Sequence, residues 1–163
     1  MDAKLVSELN KQINEEMFSS YLYLSMAAYF ENANYGGFAA WMHAQSREEM
    51  GHAMKMFKFL LERGEKVELE AIAKPQASWE KPYDVFKASL AHEQHITSRI
   101  NHLYFLAKEV KDSAAEIFLQ WFVTEQVEEE ASVSEVVAKM EMLNEAPVAM
   151  YMLSKELGAR GAH

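Results

Sequence analysis

Residues 48–52, Glu48-Glu49-Met50-Gly51-His52, sit in the middle of a long helical run, and the reading of that stretch decides the rest of the chain. On a helix advancing about 100° per residue, Glu49 and His52 project from the same face, one turn apart. That face is otherwise apolar, because Phe38, Met42, Met56 and Leu60 all fall within about 60° of Glu49. An unpaired buried charge is costly, so a carboxylate and an imidazole aimed into a hydrophobic stripe need a partner, and a metal ion satisfies both. A single pair of this kind occurs by chance on many exposed helices. The reading therefore stands or falls on whether the other helices carry matching groups.

Working outward, apolar residues at helical spacing (Leu5, Leu9, Ile13, Leu24, Ala27) predict a first helix from Asp2 to about Glu31. Asn32 to Gly37 (NANYGG) is expected to be a turn, because Asn and Gly tolerate left-handed backbone. A second helix is predicted from about Phe38 to Arg63, stopping at Gly64. Residues 64 to 82 carry two prolines and no helical stripe. Pro82 suits the first turn of a third helix, which runs to about Val110. Ser113 and Glu116 have capping-box spacing and open a fourth helix ending near Leu143. Asn144 to Pro147 breaks it, and a short fifth helix, about 147–157, closes at Gly158.

Connection lengths set the topology. Short turns join the first helix to the second and the third to the fourth, so each pair is expected to be antiparallel. The middle connection, about 19 residues, is far longer than neighbouring helices require. A helix of ~26 residues is about 39 Å long, and such a connection spans that distance when extended. The expected fold is all-α: a four-helix bundle (about 2–143) with one long crossover and a short C-terminal helix, within a single domain over 1–163.

Composition narrows the function classes. The 163 residues, half of them hydrophobic, suit one domain with a sizeable core. Cysteine is absent, which excludes disulfides, thiolate metal sites and thiol nucleophiles, and fits a reducing compartment. The N-terminal MDAKLVSELNKQ lacks the apolar run of a signal peptide, and no stretch reaches the ~18 apolar residues of a membrane span. A cytoplasmic location without a membrane partner is expected. The net charge of -9 argues against a nucleic-acid partner and favours attraction of cations, although acidity also serves solubility.

Each long helix repeats the pattern of Glu49. Glu16 shares a stripe with Leu5, Leu9, Ile13, Ser20, Tyr23 and Ala27; Glu93 with Phe86, Leu90, Thr97, Ile100 and Tyr104. Glu129 lies with Phe118, Phe122, Val133, Val136 and Met140, and also with Glu125 and Gln126. Those stripes hold no Lys or Arg. Four carboxylates balance two divalent cations, and His52 adds one nitrogen. Oxygen-rich ligation with one imidazole and no thiolate suits iron or manganese better than structural zinc.

In NEEMFSSYLYLSM (14–26), HAQSREEMGHAM (43–54), HEQHITSRI (92–100) and FLQWFVTEQVEEE (118–130), the chain resembles prokaryotic non-haem ferritins over essentially its whole length. The resemblance implies that Glu16, Glu49 and His52 hold one ferroxidase iron, and that Glu49 bridges to a second held also by Glu93 and Glu129. It further implies a third iron at Glu48, Glu125, Glu128 and the shared Glu129, a tyrosine beside the centre (Tyr23) and a polar neighbour of the second iron (Gln126). Members of the family assemble as hollow shells of 24 subunits that store hydrated ferric oxide. The expected activity is oxidation of Fe(II) by O2 or peroxide. Di-iron carboxylate enzymes and bacterioferritins carry a second Glu-x-x-His on the fourth helix. Here that slot reads Gln126-x-x-Glu129, so one bridging carboxylate and one imidazole are missing. Iron is thereby expected to be a substrate in transit and not a retained cofactor. Met50 stands where bacterioferritins place a haem ligand; haem is not expected, and packing is the reading for Met50.

Other groups carry less. Tyr23 either supplies an electron or orients a ligand, or is a core tyrosine bonded to a carboxylate. His92 and His95 flank Glu93 but point elsewhere, and are read as surface or interface histidines. Trp41, Trp79 and Trp121 are read as core and subunit-contact bulk. Asp112 and Glu116 either line an inlet between subunits or form an ordinary acidic first turn. The rival readings are a di-iron oxidoreductase with a retained cofactor, a DNA-shielding miniferritin and a purely structural bundle.

Overall fold

The computed structural model describes residues 1–162, and among these five α-helices and a short 3-10 turn make up the regular structure. They are α1 (Ala3–Asn32), α2 (Gly36–Glu62), α3 (Pro82–Glu109), α4 (Ser113–Leu143) and α5 (Pro147–Gly158), followed by the 3-10 turn Ala159–Ala162. The expected all-α bundle with a long crossover and a short fifth helix is the observed fold. No helix among the described residues is long and apolar enough to cross a membrane.

Helix ends follow local chemistry. Asp2 caps α1, its carboxylate accepting from the amides of Lys4 and Leu5. Gly64, at φ 75, takes the left-handed position after α2. Two boundaries differ from expectation. Gly36 and Gly37 open α2, and the left-handed turn residue is Asn34 at φ 63. Asp112, and not Ser113, caps α4: its Oδ1 accepts from the Ala115 amide at 3.0 Å while both oxygens take Arg63 at 3.0 Å. Asp112 thus sits at the N-cap and Glu116 in the first turn of α4, with both Asp112 oxygens engaged within the chain.

Contacts between helices fix their directions. Along α1 and α2, Phe30 meets Phe38, Ser20 meets Ser46, and the N-terminus reaches Glu65 just beyond α2, so the pair is antiparallel. Tyr23 meets Ser89, Glu15 meets His95 and Glu8 meets Arg99, so α1 and α3 are antiparallel too. It follows that α2 and α3 are parallel, and the chain between them must return along the whole bundle. It does so against α1: Asn10 bonds the backbone of Lys66 and Glu68, Asn14 that of Ala71, and Ser25 that of Gln76. These side chains satisfy backbone groups of a segment that has no ladder of its own.

The interior consists of two apolar clusters. One gathers Tyr23, Phe30, Phe38, Phe86, Val133 and Met140, with Met150 and Leu153 of α5. The other gathers Leu5, Leu9, Met56, Leu60, Ile100 and Leu119. Each large apolar side chain fully buried stabilises by about 1.5–3 kcal/mol. Between them lies a layer of buried polar groups, including Glu16, Gln45, Glu49, His52, Glu93, Gln126 and Glu129. The tryptophans divide: Trp41 is buried, Trp79 packs edge-on against Tyr29, and Trp121 is 39% exposed. Met50 is also exposed, so it does not pack in the core of its own bundle.

Candidate metal centre

The polar layer is built by one carboxylate from each long helix. Glu16, Glu49, Glu93 and Glu129 are each at most 5% exposed, and His52 is 6% exposed. Among the described residues their ligand atoms cluster in three overlapping groups: Glu16–Glu49–His52, Glu49–Glu93–Glu129, and His52–Glu125–Glu129. Glu49 belongs to the first two, so its carboxylate stands between two potential cation positions. His52 Nδ1 lies 3.1 Å from Glu49 Oε2 and 4.0 Å from Glu16 Oε2, while its Nε2 faces Glu125 at 3.8 Å.

The hydrogen bonds around the layer orient the acids without neutralising them. Gln12 donates to Glu16 at 2.9 Å. Gln45 donates to Glu49 at 3.1 Å and also to Glu129. Tyr23 donates its hydroxyl to Glu93 and lies 2.9 Å from the Ser89 hydroxyl. Gln126, from α4, donates to Glu93 at 3.2 Å and lies at the same distance from Thr97 Oγ1. The sequence reading missed Gln12, Gln45, Ser89 and the cleft residue Arg160. A signal for the first two existed: each Gln stands four residues before a buried Glu, on the same helix face.

Burial dominates the electrostatics. It pushes the Glu16 carboxyl up to about 7 and the Glu129 carboxyl up to about 8. Glu49 is also raised, by burial first and then by the charges of Glu93, Glu16 and Glu129. Burial raises Glu93 while hydrogen bonds from Tyr23 and Gln126 pull it back. His52 goes the other way, down to about 4, by burial and the nearby Lys55. The Tyr23 hydroxyl is held well above its ordinary range by burial and by Glu93. Glu16 Oε2 is buried with no hydrogen-bond partner. A layer of acids with raised pKa values, an orphaned carboxylate oxygen and a neutral imidazole fits divalent cations, whose charge would replace the missing counter-ions.

The three outer acids sit differently. Glu48 and Glu128 are exposed and Glu125 is half-buried. They line, together with Glu129, a cleft of about 400 Å³ on the α2–α4 side. His95 is exposed and pairs with Glu15 at 3.1 Å. His92, read as a surface or interface histidine, is half-buried: it lies 2.6 Å from the Ser19 hydroxyl, packs against Phe18 and the edge of Tyr23, and burial drives it down to about 4. It belongs to the groove between α1 and α3, which a helix-face argument on α3 alone does not show.

The fold and the layer define a helical-bundle protein whose four long helices converge on a carboxylate-rich centre. The chain belongs to the Ferritin-like domain family, whose match spans residues 6–143. It is 40% identical over 157 residues to a bacterial non-heme ferritin of Bacteroides fragilis, covering 96% of this chain and 98% of that protein. A bacterial non-heme ferritin of Staphylococcus aureus is 36% identical over 160 residues, covering 98% of this chain and 96% of its own. Among solved structures, an open pore ferritin from the archaeon Archaeoglobus fulgidus superposes with a TM-score of 0.96 at 46% identity, covering 97% of this chain and 98% of that one.

Proposed function

We propose that this protein stores and detoxifies iron, acting as a ferroxidase at the centre just described and depositing ferric oxide within a hollow shell of its own copies. The carrying observation is Glu49, a buried carboxylate shared between Glu16 with His52 on one side and Glu93 with Glu129 on the other. Glu16, Glu49 and His52 would hold one Fe(II), and Glu49, Glu93 and Glu129 a second. Each Fe(II) gives up one electron. The pair of electrons, with two protons, converts O2 to hydrogen peroxide, or peroxide to water.

This chain's residues would handle the protons and the placement. Acids that hold protons near neutral pH release them as cations enter, and become the anions that balance the bound charge. Gln12 and Gln45 aim the carboxylates, and Tyr23 orients Glu93 by donating to it. Gln126 spends its amide on Glu93 instead of adding an imidazole, which supports a loosely held second iron and hence iron as substrate. Glu48, Glu125 and Glu128 would take a third cation in the cleft, leading iron away from the buried pair. We place the protein in the cytoplasm, in a shell of 24 copies as the resemblance implies, with neither nucleic acid nor membrane as partner.

Aerobic addition of Fe(II) to the purified protein, followed by ferric absorbance and sizing of the product, tests the proposal. Storage requires uptake of hundreds of irons per shell in a particle of shell size. Uptake that halts at two or three irons per chain would instead mark an enzyme with a retained cofactor.

A further inference from the structure

Two cations line the acidic cleft. Lys139 is engaged by Glu156 at 2.9 Å and Glu135 at 3.1 Å. Arg160 turns the other way, toward the carboxylates. One of its NH2 groups donates to Glu48 Oε2 at 2.7 Å and to Gln45 Oε1 at 2.8 Å. Its guanidinium carbon stands 4.5 Å from the centroid of the buried Trp41 ring. The second NH2 group, at Nη1, is buried without an acceptor.

This placement is built into the fold. The approach of α5 to α2 requires glycine at two points: a Cβ on Gly37 would stand 1.6 Å from the Ser154 carbonyl oxygen, and one on Gly158 would stand 2.9 Å from the Gly37 Cα. Ser154 Oγ accepts the Phe38 amide at 3.1 Å at the same crossing. The crossing carries the start of the 3-10 turn over the first turns of α2, where Arg160 meets Trp41, Gln45 and Glu48, residues on one helix face.

We propose that Arg160 is a tethered cation that occupies the third cation position of the cleft until a metal ion displaces it. The proposal rests on the reading above, in which Glu48, Glu125, Glu128 and Glu129 receive a cation. A guanidinium bonded to Glu48 Oε2 uses an oxygen that the ion would need, and its positive charge opposes the ion's approach. The buried NH2 group without an acceptor leaves the contact incompletely satisfied, so the side chain is poised to exchange its protein partners for water.

The same guanidinium fixes which way the Gln45 amide points. By donating to Gln45 Oε1, Arg160 turns the amide NH2 toward Glu49 and Glu129, the two carboxylates shared among the buried groups. When a cation takes Glu48, Gln45 loses this outer anchor. Filling of the cleft is thereby linked to loosening of the hydrogen bonds that hold the inner carboxylates. Arg160 is a positioning residue, acting on the inner centre through Gln45.

Calorimetric titration of the assembled, iron-free protein with Zn2+, which has no redox chemistry, separates the positions by affinity. In Arg160→Ala and Arg160→Gln the third equivalent is expected to bind roughly tenfold more tightly than in the unaltered protein, while the first two equivalents weaken by about threefold or more, because Gln45 has lost its outer anchor. Arg160→Lys, which keeps the charge but not the fork of donors, is expected to fall between. Far-UV circular dichroism and sizing of each variant establish that fold and assembly are intact. A third-equivalent affinity in the Ala and Gln variants equal to that of the unaltered protein overturns the proposal. Failure of the unaltered protein to bind even the first two equivalents overturns the underlying reading of the centre instead.

Discussion

Gln45 on α2 donates its side-chain amide to Glu129 on α4 and to Glu49 one turn along its own helix, tying together two acids that would otherwise repel. This bond crosses the bundle at the height where the apolar clusters separate. Groups that orient metal-binding side chains set affinity almost as strongly as the side chains themselves, and their loss typically costs about 10–100-fold. Gln45→Ala is therefore expected to weaken Co2+ binding at the buried pair by about 10–100-fold at neutral pH. Optical titration with Co2+ measures this directly, and binding within twofold of the parent would remove Gln45 from the account.

Glu49→Gln is expected to move stability and activity in opposite directions. Glu49 is 1% exposed and faces Glu16, Glu93 and Glu129, so its neutral isostere removes the cost of burying or protonating a carboxyl there, and with it any repulsion from its neighbours, in the metal-free protein. The metal-free variant should melt at a higher temperature than the parent. Its initial rate of Fe(II) oxidation should fall at least about tenfold, since the carboxylate placed between both ions is lost. A variant that melts higher yet oxidises iron at the parent's rate would show that the shared carboxylate is not where oxidation occurs.

The raised acids set a pH dependence whose sign follows from linkage. Glu16 and Glu129 move from 4.5 to about 7 and about 8 on folding, so the folded state holds protons that the unfolded state has released. Their stabilising contribution is complete below about 4.5 and is lost as pH rises through 7 to 8. His52, lowered from 6.5 to about 4, acts oppositely and only below 6.5. Between pH 6.5 and 8, therefore, the metal-free protein should lose stability as pH rises, with a saturating divalent cation flattening the profile. Denaturant titrations across that window check the slope; a metal-free profile that climbs toward pH 8 would contradict the burial of these acids.

Binding should release protons for the same reason. Cations entering at pH 6.5 must displace more protons from Glu16 and Glu129 than at pH 8.5. Titrations in buffers of different ionisation enthalpy count them, and a release independent of pH would exclude these carboxyls as its source.

Gly37→Ala tests the crossing of α5 over α2. The added methyl has no room beside the Ser154 carbonyl, so α5 must shift, at a cost of about 1–3 kcal/mol. Amide exchange should accelerate across 147–158 while α1, α3 and α4 stay protected. Unchanged exchange in α5 would mean that the helix tolerates the displacement.

The four-helix architecture was legible because each helix writes its buried stripe into its own periodicity, and because a 19-residue connection between prolines and glycines (residues 63 through 81 in the structure) has few uses other than a full-length return. The convergence of Glu16, Glu49, His52, Glu93 and Glu129 was legible for the same reason: acids in apolar stripes at matched depth must face one another once the stripes are packed. Helix boundaries were less so. The opening of α2 at Gly36 defeats local propensity, because Gly37 is selected by the passage of α5 and not by the turn before it.

The sequence by itself determined which faces are buried, in what order the helices follow and which acids lie inside, since periodicity and connection length are properties of single segments. Only the tertiary structure decided that Gln45 joins Glu49 to Glu129, that His92 turns to Ser19 and that Arg160 comes back over Trp41 to Glu48. Those contacts join residues far apart in the chain. Their partners are chosen by how helices pack against one another, and no single helix records that.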